Sequence, residues 1–107
     1  MQHLTTPELA AWIASSSRQK PVLLDVREPW EFRTCLIDGS FNIPMNSIPG
    51  KLSELDTTQQ IVCICHHGVR SKQVAFFLEQ NGFTQVSNLT GGVHAWAQQV
   101  DTTMPTY

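Results

Sequence analysis

The sequence predicts an α/β domain, with a mostly parallel sheet between two layers of helices. Three short apolar runs, at residues 22–26, 61–64 and 86–89, read as strands, and the first has the composition of a strand buried on both faces. Between these runs lie segments whose apolar residues recur at helical spacing. Strands that alternate with helices pair in parallel, because each helix carries the chain back across the sheet.

The remaining elements are predicted from capping residues and turns. Thr6, Pro7 and Glu8 resemble a helix start with a hydroxyl cap, proline in the first turn and an acid after it. Leu9 and Trp12 then share one face of that helix. Further along we expect a helical turn at 29–32, a turn at 38–39, a strand at 41–43, a short helix at 48–55, helices at 72–81 and 93–99, and an irregular strap after residue 100.

Length, charge and cysteine content limit the possible functions. The chain has 107 residues, enough for one domain over 1–107, and its net charge of −2 argues against nucleic-acid binding. It contains no apolar run near the roughly 20 residues that a membrane span needs, and its first residues lack the pattern of a signal peptide. Three cysteines, an odd number, fit no disulfide framework. We therefore expect a cytoplasmic protein with reduced thiols and neither a membrane nor a nucleic-acid partner.

The residues that indicate chemistry follow the second strong strand. Cys65 comes at the end of this strand and is followed by Gly68, Arg70 and a predicted helix that opens near Ser71. Backbone N–H groups, a helix N-terminus and an arginine all favour a thiolate over a thiol, and the thiolate is the nucleophile. The candidate loop consists of the nucleophile and the six residues after it: Cys65, His66, His67, Gly68, Val69, Arg70 and Ser71.

Charged residues at the end of the first strong strand are predicted to support this loop. Ligands of open parallel sheets bind beyond the carboxyl ends of the strands, which is where Asp25 and Arg27 also lie. Arg27 and Glu31 are spaced to meet across a single turn, and an arginine fork suits a carboxylate. These three residues are expected to form a structural network beside the nucleophile.

Three motifs, in order and at consistent spacing, cover nearly the whole chain. The first is Leu23-Leu24-Asp25-Val26-Arg27 with Glu31-Phe32, Ile37, Gly39 and Asn42-Ile43-Pro44; the second runs from Cys65 to Ser71; the third is Asn88-Leu89 with Gly91-Gly92 and Ala95-Trp96. Together they resemble the rhodanese-like family of sulfurtransferases. The tail, Val100-Asp101 with Met104-Pro105 and Tyr107, resembles rhodanese domains fused to the activating enzymes of molybdopterin and thiamin synthesis.

This resemblance implies a rhodanese-like three-layer sandwich and a double-displacement reaction without a cofactor. Cys65 would take sulfane sulfur from a donor, hold it as a persulfide and pass it to a nucleophilic acceptor. Gly68 would allow a tight backbone, Arg70 would neutralise charge on the donor and Ser71 would cap the helix. The implied partners are small molecules such as thiosulfate, cyanide and thiols, or a protein that donates a persulfide or carries sulfur.

Two positions depart from the family pattern. Where the family usually has Gly-His, this chain has Cys35-Leu36. If the family's glycine has a positive φ, Cys35 must adopt a costly conformation or the turn must differ. The leucine also removes any role of the histidine.

The other cysteines and histidines are expected to be structural or incidental. Cys63 lies in the middle of a strand and is predicted to be core, and Cys35 is predicted to be incidental. Cys63, Cys65, His66 and His67 could suggest a metal site, but adjacent histidines on a tight loop seldom converge on one ion, so we expect no metal. His3 and His94 have no neighbours in the sequence that suggest a partner.

The histidines beside the nucleophile invite a further hypothesis. On protonation, His66 and His67 would become cationic and attract dianionic thiosulfate.

Two other functions stay open at this point. A cysteine phosphatase or arsenate reductase would use a similar loop, but its pattern is Cys-x5-Arg, whereas Cys65 and Arg70 form the shorter Cys-x4-Arg. A rhodanese-like module that binds or regulates without catalysis typically lacks the nucleophile, which is present here. The physiological donor and acceptor of sulfur stay open as well.

Overall fold

Five parallel strands form the centre of the structure. The computed structural model describes all residues 1–107. The strands are β1 (Gln2–Leu4), β2 (Val22–Asp25), β3 (Phe41–Asn42), β4 (Ile61–Ile64) and β5 (Val86–Leu89), in the spatial order β1-β5-β4-β2-β3. Every neighbouring pair is parallel, which confirms the predicted α/β class. The carboxyl ends of all five strands therefore meet at one edge of the sheet.

Four α-helices accompany these strands, three of them in the connections and the last after β5. They are α1 (Thr6–Ala14), α2 (Pro29–Thr34), α3 (Val69–Gln80) and α4 (Gly92–Gln99). Two short 3-10 segments, Met45–Ser47 and Pro49–Glu54, lie between β3 and β4. No helix in the structure has both the length and the apolar composition to cross a bilayer.

Side chains that alternate along β4 divide the core into two halves. Val62 and Ile64 pack in one buried cluster that also contains Leu9 of α1 and Val93 of α4. The alternate residues of β4, Ile61 and Cys63, face the other cluster. That cluster also contains Val74, Ala75 and Leu78 of α3. The sheet is thus covered by helices on both faces, as the alternation of strands and helices predicted.

Several predicted boundaries are corrected by the structure. The cap of α1 is Thr5 rather than Thr6: the Thr5 side chain accepts the Glu8 N–H, and the Thr6 hydroxyl is buried and donates to Gln99. The segment predicted as a short helix at 48–55 is 3-10 in character and is interrupted at Lys51. Helix α3 begins at Val69, three residues before the predicted start at 72.

Strand β1 was not predicted. It has only three residues, two of them polar and exposed, so no apolar pattern marks it. Its hydrogen-bond partner is the edge of β5, with Gln2 opposite Ser87 and Leu4 opposite Leu89. Pairing across the sheet therefore determines this strand, and such pairing leaves no local signal in the sequence.

Gly92 brings α4 against the loop that follows β4. A Cβ atom at this position would lie 2.3 Å from the Cys65 carbonyl oxygen and 2.4 Å from that of His66, and its φ is +57°. The two carbonyls accept the N–H groups of Val93 and His94 at 2.9 and 3.0 Å. Only a residue without a side chain permits these bonds, so Gly92 sets the distance between the two segments.

We predict that Gly92→Ala lowers the free energy of unfolding by about 2 kcal/mol or more, or prevents folding. A left-handed backbone costs an alanine about 1–2 kcal/mol, and the overlap with two carbonyl oxygens adds to this. Urea unfolding followed by circular dichroism measures the change. The matched control is Gly50→Ala, because the space around Gly50 is open, and its effect should stay within about 0.5 kcal/mol. Equal stabilities of the two variants would contradict the close approach at Gly92.

Candidate active site

Cys65 lies at the carboxyl edge of the sheet, directly after β4. Its Sγ accepts the Gly68 N–H at 3.1 Å and lies 3.3 Å from the Ser71 Oγ. The residue is only 1% exposed. The sulfur is therefore held at the bottom of a narrow cradle formed by its own loop.

The N-terminus of α3 opens onto this loop. Gly68 is the cap residue, with φ +100°, and its conformation turns the chain from the loop into the helix. The N–H groups of Val69, Arg70 and Ser71, the first three of α3, donate to no other group of the chain. Unpaired N–H groups at a helix N-terminus carry partial positive charge, so this end of α3 favours an anion.

Ser71 does not cap α3, contrary to the prediction. It is the third residue of the helix, and its hydroxyl donates to the Asn88 Oδ1 at 2.5 Å. Asn88, on β5, in turn donates from Nδ2 to the Gly68 carbonyl at 3.2 Å. The Asn88 side chain thus ties the loop to the neighbouring strand, a role that a lone asparagine in a strand does not reveal in the sequence.

Arg70 and Glu31 form a bidentate ion pair. Its Nη1 and Nη2 donate to the two carboxylate oxygens at 2.7 and 2.9 Å. Hydrogen bonds from Arg70 lower the pKa of Glu31 to about 2, against the opposing effect of burial. The same contact raises the pKa of Arg70. The guanidinium that was predicted to neutralise a donor is therefore already balanced by a carboxylate.

Asp25 and Arg27 form a second, fully buried ion pair. Both side chains are 0% exposed, and the Arg27 Nη2 lies 2.7 Å from the Asp25 Oδ2. Burial opposes the charge of Arg27, but hydrogen bonds to Asp25 and Tyr107 outweigh it and raise the pKa of the guanidinium. Arg27 contacts the backbone carbonyl of Glu31, not its carboxylate, so the predicted side-chain pairing of these two residues is wrong.

Tyr107 joins the two ion pairs. Its hydroxyl donates to the Glu31 carboxylate at 2.8 Å and accepts from the Arg27 Nη1 at 2.9 Å. Its ring stacks on that of His66, with centroids 4.1 Å apart and planes 20° apart. Burial raises the pKa of Tyr107 to about 12, so the hydroxyl stays protonated at neutral pH. The predicted irregular strap after residue 100 thus reaches the candidate site. In the sequence, only the resemblance of the tail to fused rhodanese domains marked this segment.

Three histidines meet beside the loop. The nitrogen atoms of His66, His67 and His94 that could ligate a metal all lie within 4.8 Å of one another. His94, whose sequence neighbours suggest no partner, is brought to the loop by α4. Burial, followed by the charges of His67 and His94, lowers the pKa of His66. His66 is therefore neutral at physiological pH, which weakens the hypothesis that its charge attracts thiosulfate.

The other two cysteines, Cys63 and Cys35, are also buried. Cys63 is fully buried, and burial raises its pKa to about 12, in keeping with the predicted core position. Cys35 has an extended backbone, with φ −161°, so the anticipated cost of a positive φ does not arise. Its carbonyl accepts the Arg27 Nη2 at 2.6 Å. The position therefore needs a well-placed carbonyl rather than a glycine.

Comparison with known proteins gives a consistent result. The sequence model of the rhodanese-like domain family matches residues 5–99. A sulfurtransferase of Allochromatium vinosum is 38% identical over 77 residues, which are 72% of this chain and 72% of that protein. The thiosulfate sulfurtransferase GlpE of Shewanella oneidensis is 30% identical over 89% of this chain and 91% of its own length.

Two further similarities concern the tail and the fold. The probable adenylyltransferase/sulfurtransferase MoeZ of Mycobacterium tuberculosis is 36% identical over 97% of this chain, which corresponds to 26% of that protein. The crystal structure of SSP1007 from Staphylococcus saprophyticus superposes with a TM-score of 0.84, with 34% identity over 94% of this chain and 97% of the other. The predicted three-layer architecture is thereby confirmed.

We predict that the stabilising effect of Glu31 disappears in acid. The folded-state pKa near 2 lies below the unfolded value of about 4.3, so the contribution is complete above about pH 5 and is lost as the pH falls toward 2. Glu31→Gln should lower the free energy of unfolding by about 1–3 kcal/mol at pH 7. Denaturant unfolding of both proteins at several pH values should show this difference shrinking below pH 5. Glu54→Gln, at an exposed site, is the control, and a difference independent of pH would contradict the ion pair.

Proposed function

Because the chain belongs to the rhodanese-like domain family, we propose that Cys65 carries sulfane sulfur as a persulfide between a donor and a thiophilic acceptor. The observation that carries this proposal is the position of the Cys65 sulfur. It lies at a strand end, accepts the Gly68 N–H and is followed by a helix whose first N–H groups are unpaired. Activity as a thiosulfate sulfurtransferase follows from this chemistry.

The first step loads the cysteine. The Cys65 thiolate attacks the outer sulfur of thiosulfate, and the sulfur–sulfur bond of the donor breaks. Sulfite leaves with the electron pair of that bond, and the cysteine retains one added sulfur as a persulfide anion. No external oxidant or reductant is needed, since the sulfane sulfur changes partners without net electron transfer.

The second step returns the thiolate. An acceptor such as cyanide attacks the outer sulfur, the bond between the two cysteine sulfurs breaks, and thiocyanate leaves. A thiol acceptor would instead receive the sulfur as its own persulfide. A sulfur-carrier protein could be the acceptor in the same way, through a thiol of its own. A persulfide on another protein could likewise replace thiosulfate as the donor, because the outer sulfur is the electrophile in both.

The loop would stabilise the intermediate mainly through its backbone. The outer sulfur of a persulfide carries negative charge, and the unpaired N–H groups of Val69, Arg70 and Ser71 can donate to an anion placed over Cys65. Such donors act strongly where water is excluded, and Cys65 is almost fully buried. Glu31 holds the loop through Arg70, and Tyr107 joins Glu31 to the buried pair of Asp25 and Arg27.

The ion pair of Arg70 argues against a phosphatase. A phosphate-binding loop needs a guanidinium that contacts the oxyanion, whereas Arg70 uses two nitrogens on Glu31. The loop is also one residue shorter than Cys-x5-Arg. Both features suit a single sulfur atom better than a tetrahedral oxyanion.

Three free cysteines and a persulfide intermediate suit a reducing compartment. We therefore also propose a cytoplasmic location.

We predict that thiosulfate adds the mass of one sulfur to the protein, on Cys65. Intact mass spectrometry should show the addition, and cyanide or a thiol reductant should remove it. Cys65→Ser should gain no sulfur, whereas Cys63→Ser and Cys35→Ser should gain it as the unaltered protein does. Full addition to Cys65→Ser would disprove the assignment.

We predict opposite kinetic effects for the two members of the ion pair. Arg70→Ala removes a cation near the sulfur and should raise the KM for thiosulfate and slow alkylation by iodoacetamide. Glu31→Gln leaves Arg70 uncompensated and should lower this KM and accelerate alkylation. Each change should be about two- to fivefold, since a partly exposed charge contributes about 0.4–1 kcal/mol. A KM that moves in the same direction in both variants would show that the pair acts only by supporting the fold.

A further inference from the structure

The histidine cluster is assembled by the fold rather than by local sequence. His66 and His67 belong to the Cys65 loop, whereas His94 belongs to the first turns of α4. The His94 N–H donates to the His66 carbonyl at 3.0 Å, so the backbones of the two segments are joined at the cluster itself. The ring of His67 lies 4.1 Å from that of His66 and 4.8 Å from that of His94.

The ring nitrogens of this cluster are available to a ligand. None of the three side chains is hydrogen bonded to another group of the chain, and none is fully buried. One of the rings is also held in place, because His66 is stacked on Tyr107. The nearest carboxylate of the site, Glu31, is occupied by Arg70 and Tyr107, so the cluster offers nitrogen donors alone.

We propose that His66, His67 and His94 form a binding site for a divalent transition-metal ion such as Zn²⁺, with a fourth position open. Imidazole nitrogens suit zinc, copper and nickel, whereas calcium and magnesium prefer oxygen. Three protein ligands with one open position form a common arrangement for zinc. The site adjoins the Cys65 loop, to which His66 and His67 belong, but its three ligands do not include the Cys65 sulfur.

The geometry is close to what a metal requires. Two nitrogens at about 2.0–2.1 Å from a tetrahedral ion lie about 3.3 Å from each other, so the widest pair here must approach by about 1.5 Å. His67 is exposed, so its side chain has room to rotate toward the other two rings. The expectation that adjacent histidines seldom converge on one ion did not include a third histidine from α4.

Titration of the whole protein with zinc chloride tests the site. The measurement uses a competing chromophoric chelator under reducing conditions and in the absence of any sulfur donor, so its result does not depend on sulfurtransferase activity. We expect one ion per chain. His67→Gln and His94→Gln should each weaken binding by about tenfold or more, since even loss of an outer-shell partner costs about 10–100-fold. His3→Gln is the matched control, because His3 is exposed and outside the cluster, and it should leave the affinity unchanged.

A further variant, Cys65→Ser, shows whether zinc is bound by the histidines or by the Cys65 thiolate. Because the proposed site has an open fourth position, Cys65→Ser should keep the affinity for zinc. Weaker binding in both Cys65→Ser and His94→Gln would place the thiolate in the fourth position and contradict an open site. Loss of binding in Cys65→Ser alone would overturn the proposal. Unchanged affinity in both histidine variants, or no binding up to about 1 mM zinc, would overturn it too. His67 is exposed, so its replacement should leave the fold intact, and circular dichroism of each variant verifies this.

Discussion

A guanidinium that is closed off from water needs a partner for every N–H group, because an unpaired buried charge costs several kcal/mol. Arg27 is 0% exposed and meets this condition with all three of its nitrogens. Its partners are the Asp25 carboxylate, the carbonyls of Glu31 and Cys35, and the hydroxyl of Tyr107. These groups come from β2, from α2 and its end, and from the tail, so one side chain gathers three separate segments. Arg27 therefore holds these three segments together beside the candidate site.

The same convergence positions the groups nearest the sulfur. The first turn of α2 is held over Arg27, and this places the Glu31 carboxylate where Arg70 of α3 can reach it. Tyr107 bridges Arg27 and Glu31 and extends its ring over His66. The loop after β4 is thus braced from the tail on one side and, through Asn88, from β5 on the other. A narrow cradle around a single sulfur can keep its shape under these constraints.

The features that could be predicted from the sequence are those with a local cause. The strands at 22–26, 61–64 and 86–89 are apolar along their length, and Cys65 follows one of them directly, so both the sheet and the position of Cys65 at its edge were predictable. The features that could not be predicted depend on contacts between distant segments. Strand β1 is defined by pairing with β5, the partner of Glu31 is Arg70 rather than Arg27, and His94 reaches the loop only because Gly92 permits the approach. The cap of α3 is Gly68 rather than Ser71, because Gly68 adopts a left-handed backbone that the sequence does not display.

The charges around Cys65 are balanced in pairs, and this limits what can stabilise a sulfur anion. Asp25 balances Arg27, and Glu31 balances Arg70, so the two arginines bring little net positive charge to the loop. His66 adds none at neutral pH, because burial lowers its pKa. The stabilisation must then come chiefly from the fixed dipoles of the backbone, namely the Gly68 N–H and the unpaired N–H groups at the start of α3. Fixed dipoles of this kind favour an anion at one point in space, whereas a net positive pocket would attract any anion. Such an arrangement suits the proposed transfer of a single sulfur atom, in which charge develops on the cysteine sulfur itself.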